Sequence, residues 1–312
     1  MSLQTFLKLV EIQTKLASFF PFLVGLLFTV YRFETFHPLN TLIFFAAMLI
    51  FDMTTTAINN YMDYRKAKSV EYKKERNIIG QKNVPEGIVI FTIISLLTIA
   101  TALGIWLVFR TDLLVLLIGM VCFAIGILYT FGPIPLSRMP LGEIFSGVTM
   151  GFGIVFLTIY VNAYDQGIAN IIWEGRFLSL QMDLILLLQI LWISLPCVFT
   201  IANIMLANNI CDLEDDIKNN RFTLPFYIGK KYAIWLFNIL YTLSFVAIIT
   251  AVIFDILPPI ILLSLLAAIP VYQHVYKFNL KQAKAETFPL AVKNLVLVNG
   301  AFIAMLVVSI IA

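Results

Sequence analysis

Charge and histidine are scarce in this 312-residue chain. Asp, Glu, Lys and Arg make up 12% of it, where a soluble domain carries about a quarter. With 61% hydrophobic residues and a mean hydropathy of +0.94, a soluble globular domain is excluded. Only two histidines are present, His37 and His274, which argues against a His-based zinc or haem site. The three cysteines, Cys122, Cys197 and Cys211, are too few and too scattered for a disulfide framework. A metal ion here must be held mostly by oxygen, which selects a hard cation such as Mg2+. The first apolar run, LASFFPFLVGLLFTVY, lacks a small-residue cleavage site and reads as a retained span.

Apolar runs of bilayer-crossing length are abundant. Nine spans are expected, near 14–31, 40–60, 87–109, 112–131, 141–163, 183–208, 231–251, 254–276 and 288–311. The fold class is therefore all-α, a polytopic membrane protein forming one domain over 1–312. With a cytoplasmic N-terminus, 18 of the 21 Lys and Arg residues fall on the inner side. Arg32, Arg110 and Arg176 alone fall outside, as the positive-inside rule requires. The expected location is the cell (plasma) membrane. The lipid bilayer accounts for the net charge of +3, and no nucleic-acid partner is needed.

Two inward loops, 61–86 and 209–231, carry polar clusters. The second span runs into INNYMDY and the sixth into ANNICDLEDD, which share N-N-x-x-D at an offset of 149 residues. The repeat suggests two related halves, about 1–140 and 141–312. A spacing of four returns a helix to nearly the same face. If these helix ends stay helical, Asn59 and Asp63 point one way, as do Asn208, Asp212 and Asp216, with Asp215 beside them. Clustered carboxylates repel one another unless a divalent cation joins them. Arg65, Lys66, Lys68, Lys73, Lys74, Arg76 and Lys82 follow the first cluster, and Lys218, Arg221, Lys230 and Lys231 the second. Carboxylates for magnesium with cations alongside suit a diphosphate. A Phe-rich membrane cavity below suits a long hydrocarbon tail, so the expected ligand is an isoprenyl diphosphate at the cytoplasmic surface.

With these motifs the chain resembles the UbiA superfamily of membrane prenyltransferases, which carry N-x-x-x-D-x-x-x-D-like motifs after the second and sixth of nine helices. Asn208, Asp212 and Asp216 match one motif in full; Asn59 and Asp63 match the other, whose second acid falls at Ala67, with Glu71 and Glu75 further along. Within the superfamily, YTFGPIPLSRMPLGE and NNRFTLPFYIGKKYA look most like 1,4-dihydroxy-2-naphthoate polyprenyltransferases, although Cys211 stands where Arg is usual. The resemblance implies nine helices bundled around a central cavity and a Mg2+-dependent aromatic prenylation. Asp63, Asp212, Asp216 and Asp215 would hold metal, and Asn59, Asn208, Arg76, Lys82 and Arg221 would bind the diphosphate. The allylic cation would attack dihydroxynaphthoate, which then loses CO2 to give demethylmenaquinone. Tyr129 matches the family's motif tyrosine, and its ring would face that cation; the alternative is an interfacial belt residue.

Two further acids each carry two readings. Asp52, inside the second span, either faces the same cavity or bonds the neighbouring hydroxyls of Thr54 to Thr56. Glu143 either belongs to the site or starts a helix, where the dipole favours an acid. Rival functions are prenylation of 4-hydroxybenzoate or haem, a secondary transporter using the acids for ion coupling, and a quinone-binding protein without catalysis.

Overall fold

A computed structural model describes residues 1–67, 73, 77–130 and 138–312. Among these, eight helices are long and apolar enough to cross a membrane, and a shorter apolar helix, Leu113–Tyr129, stands where the fourth span is expected. We number the nine α1 (Leu16–Phe33), α2 (Pro38–Lys66), α3 (Glu86–Arg110), α4 (Leu113–Thr130), α5 (Gly142–Ala163), α6 (Leu184–Cys211), α7 (Lys230–Ile253), α8 (Pro259–Leu280) and α9 (Phe288–Ile311). The protein is a multi-pass membrane protein. Helix is the element that satisfies every backbone group within one segment when hydrocarbon offers no partners.

α1, α5, α6 and α9 form the centre, with α7 and α8 outside α6 and α9. α5 reaches α6 through a π-helical stretch, Gly147–Gly153. A Cβ on Gly151 would lie 2.5 Å from Val198 Cα and 2.6 Å from its backbone nitrogen. Small residues let two helix backbones approach closely, which drives packing where lipid is as apolar as leucine. α2, α3 and α4 form the other flank, and α3 turns most of its apolar surface outward. The space between this flank and α5 is a cavity.

Three features differ from the sequence expectation. The eighth helix begins at Pro259, not 254, because its fixed φ suits a first helical turn and residues 254–258 make the connection. α2 runs to Lys66, six residues beyond the expected end, so Asn59 and Asp63 lie on regular helix. Between α5 and α6 stands a hairpin, β1 (Ala169–Glu174) paired with β2 (Phe177–Met182), the one sheet among the described residues. Gly175 takes φ +60 at the first position of its two-residue loop, as a type II′ turn demands.

Candidate functional site

The second asparagine of each motif is structural. Asn60 Nδ2 donates to Leu9 O at 2.9 Å and to Glu11 Oε1 at 3.1 Å. Asn209 Nδ2 donates to Glu143 Oε1 at 2.9 Å. Each thus ties its helix end to a glutamate at the start of another helix, Glu11 just before α1 and Glu143 in the first turn of α5. Glu143 starts a helix, and it is buried as the anchor of Asn209. The first asparagine and the aspartate of each motif are left for other work.

Each of those acids meets a cation from a distant segment. Arg138, after α4, sets Nη2 3.3 Å from Asp63 Oδ1, and its carbonyl accepts from Phe222 N at 3.2 Å. One residue therefore touches both the end of α2 and the segment after α6. Lys284, between α8 and α9, donates to Asp212 Oδ2 at 2.5 Å and to Asn208 Oδ1. Asp216, in the short helix Leu213–Lys218, lies 3.5 Å from Arg221 Nε, and its carbonyl accepts Arg221 N at 2.8 Å. Asp215 pairs with Lys218 at 3.6 Å on the exposed side of the same helix. Lys82 is exposed on the turn after Ile78–Gln81. Arg76, with Glu71 and Glu75, lies outside the described residues.

Burial lifts the Asp216 carboxyl to about 6, while Arg221 and Lys284 pull it down and the charges of Asp212 and Asp63 push it up. Asp63 belongs to the first motif, so the two clusters stand within electrostatic reach of each other. Asp216 Oδ2 is buried with no hydrogen-bond partner among the described residues. An orphaned buried carboxylate oxygen is costly and calls for a cation.

Among the described residues, no three acidic, His or Cys side chains stand close enough to hold a metal unaided. Magnesium keeps several waters and shares one or two carboxylates with substrate phosphates. The donors present are carboxylates and carboxamides, all oxygen, and they fit it.

Directly inward lies a cavity of about 590 Å3. It is lined by Asn59, Glu11 and Tyr129 together with Phe44, Phe51, Phe123 and Leu157. Tyr129 faces this cavity, and its hydroxyl reaches Met205 Sδ at 3.8 Å. Asp52 lines the cavity as well, with a partner that the sequence did not suggest. Lys15 Nζ donates to Asp52 Oδ1 at 2.7 Å, to Thr56 Oγ1 at 2.6 Å and to Asp52 O at 3.1 Å. Ser18 Oγ donates to Asp52 Oδ2 at 2.6 Å. Of the two readings of Asp52, the cavity is correct; the hydroxyls of Thr55 and Thr56 bond its carbonyl instead. Lys15, counted in sequence as an inner-surface charge, is buried. Arg138, Lys284 and Lys15 are the residues that sequence reasoning left unassigned, and only their inward topology marked them.

The family model described as "UbiA prenyltransferase family" matches residues 18–306. The chain is 31% identical over 248 residues to 1,4-dihydroxy-2-naphthoate octaprenyltransferase of Bacillus subtilis (strain 168), covering 77% of this chain and 71% of that protein. A solved UbiA homolog from Aeropyrum pernix K1 superposes with a TM-score of 0.70 at 19% identity, over 94% of this chain and 98% of the other. A UbiA homolog from Archaeoglobus fulgidus, solved bound to GPP and Mg2+, superposes with a TM-score of 0.65 at 13% identity, over 99% and 100%. At these identities the two structures speak for the fold.

Proposed function

The chain belongs to the UbiA prenyltransferase family, and from that premise we propose that it transfers a polyprenyl group from an isoprenyl diphosphate to 1,4-dihydroxy-2-naphthoate. The observation that carries this reading is two motifs whose segments are joined through Arg138, which pairs with Asp63 and accepts from Phe222 N, with Asn59 of the first motif lining an apolar cavity of about 590 Å3. The choice of acceptor is supported by the 31% identity to the Bacillus enzyme. Family membership makes the protein an enzyme and sets aside the transporter reading.

On this reading Asp63, Asp212 and Asp216 hold Mg2+, with Asp215 at the rim. Bound there, the metal supplies positive charge against the diphosphate as it leaves. Asn59 and Asn208 flank the metal, and Arg76, Lys82 and Arg221 donate to the diphosphate oxygens. Charge aimed at the departing oxygens favours the transition state over the ground state, which is what accelerates the reaction. The prenyl tail lies among Phe44, Phe51 and Phe123, and these rings keep water from the allylic carbon. The Tyr129 ring faces the developing cation. The allylic C–O bond breaks, and the acceptor ring carbon forms the new C–C bond. The carboxylate then leaves as CO2, and its bonding pair restores the aromatic ring, giving demethylmenaquinone in its reduced form. Residues 1–140 and 141–312 are taken as two related halves, supported by the matching Asn60–Glu11 and Asn209–Glu143 bonds. The distribution of Lys and Arg supports a plasma-membrane protein with a cytoplasmic N-terminus and a site open to the cytoplasm.

Purified protein incubated with Mg2+, a prenyl diphosphate and dihydroxynaphthoate should yield the decarboxylated prenyl product by mass spectrometry. Turnover of 4-hydroxybenzoate or haem in its place would overturn the acceptor. Full turnover after chelation would overturn the metal reading.

A further inference from the structure

The connection between α8 and α9, residues 281–287, enters the site from near the C-terminal end of the sequence. It is a fixed turn. Gln282 Nε2 donates to Phe278 O at 2.7 Å and Asn279 O at 3.0 Å. Ala283 N donates to Thr287 Oγ1 at 2.9 Å, and Thr287 N returns to Ala283 O at 2.9 Å. Lys281 pairs with Glu286 at 2.6 Å. From this base Lys284 carries its Nζ over the Phe288 ring, 4.8 Å from the centroid. It ends on Asn208 Oδ1 and Asp212 Oδ2, the first two polar positions of the intact motif.

An ammonium and a metal ion compete for the same lone pairs. While Asp212 Oδ2 accepts from Lys284, that lone pair cannot ligate a metal. When Asp212 turns to a metal, Lys284 must let go, and its anchored turn keeps it within a stem's length. The anion that arrives with the metal is the diphosphate. A compact, strongly hydrated charge on a flexible stem suits such an exchange. We propose that Lys284 is a further diphosphate-binding residue, which rests on Asn208 and Asp212 and moves to the diphosphate when metal takes Asp212. This inference rests on the magnesium–diphosphate reading of the site.

The exchange predicts effects of opposite sign. In Lys284→Gln the competitor is gone, so metal alone binds more tightly. The pair is partly exposed, at 46% for Lys284 and 30% for Asp212, so the gain is modest, about three- to fivefold. The same substitution removes a cation from the diphosphate, so metal with pyrophosphate binds more weakly, by about fivefold or more. A lysine that merely held the turn would weaken both.

The test is Mn2+ binding to the purified full-length protein in detergent, followed by electron paramagnetic resonance with and without inorganic pyrophosphate. Lys284→Gln should shift the two affinities in opposite directions, and Lys284→Arg should keep both near wild type. Lys281→Gln, which removes an equal charge from the same turn, should change neither. The proposal is overturned if Lys284→Gln shifts both affinities alike or neither, or if Lys281→Gln reproduces its pattern. If wild-type protein binds neither Mn2+ nor Mn2+ with pyrophosphate, the metal reading itself has failed and the proposal falls with it.

Discussion

Replacing Lys15 by Met strips a buried ammonium from the cavity wall while keeping the length of its stem. The side chains of Lys15 and Asp52 are 6% and 15% exposed, so neither charge is well solvated. The substitution removes the 2.7 Å ion pair and the 2.6 Å and 3.1 Å bonds to Thr56 and the Asp52 carbonyl. Asp52 keeps only the Ser18 hydroxyl, at 2.6 Å. Breaking one side of a buried pair costs about 3–5 kcal/mol, because the surviving charge is left uncompensated. The cavity offers Asp52 some relief, so the expected loss is about 3 kcal/mol. Asp52→Asn should cost about as much, since it strands the deeper ammonium. The double substitution removes both charges and should cost only ~1–2 kcal/mol, the remainder being hydrogen bonds to Ser18 and Thr56. The implied coupling, about 4–5 kcal/mol, exceeds the ~0.5–3 kcal/mol usual for contacting residues, because each single substitution strands a buried charge. SDS-induced unfolding in mixed micelles, followed by circular dichroism, reads all four corners of the cycle. A Lys15→Met cost below about 1 kcal/mol would refute the reasoning, and so would a double substitution equal to the sum of the singles.

Three further outcomes follow from the site and the packing. Asp216 is lifted by burial to about 6, so stability from this group is fully present below the unfolded carboxyl range and fades as pH rises through 6. Metal binding runs the other way, because it needs the carboxylate. The apparent Mg2+ requirement should therefore rise about tenfold per pH unit below 6, the slope of one competing proton; a requirement that stays flat between pH 5 and 7 would contradict this. Asp212→Asn keeps the shape of the side chain but not its charge, and kcat should fall by ~100-fold or more, with the circular dichroism spectrum unchanged; near-normal turnover would remove Asp212 from the chemistry. Gly151→Ala places a methyl 2.5 Å from the backbone of Val198, so α5 and α6 must separate at a cost of about 1–3 kcal/mol, while Gly104→Ala, with open space around it, should be neutral in the same unfolding assay.

The span count, the family and the intact motif were legible in the sequence because each is a local pattern. A helix in hydrocarbon must satisfy its own backbone, so apolar run length fixes the spans. A four-residue spacing marks Asn208, Asp212 and Asp216 as one motif without reference to anything else, although α6 ends at Cys211 and Asp216 stands in the short helix that follows. The extra turns of α2, the hairpin at Ala169–Met182 and the start of α8 were blurred because polar ends and connections lack the strong periodicity of a span.

What only the tertiary structure decided is which cation meets which acid. Arg138 lies 75 residues from Asp63, Lys284 lies 72 from Asp212, and Lys15 lies 37 from Asp52. Nothing in the spacing of a loop names a partner so far away, and an inward lysine reads in sequence as topology alone. Packing selects the partner, because a carboxylate leaving water must find its counter-charge wherever the helices bring one. The sequence by itself determined that acids would gather at the ends of α2 and α6. The fold determined that Asp63 and Asp212 would each meet a cation carried in by another segment.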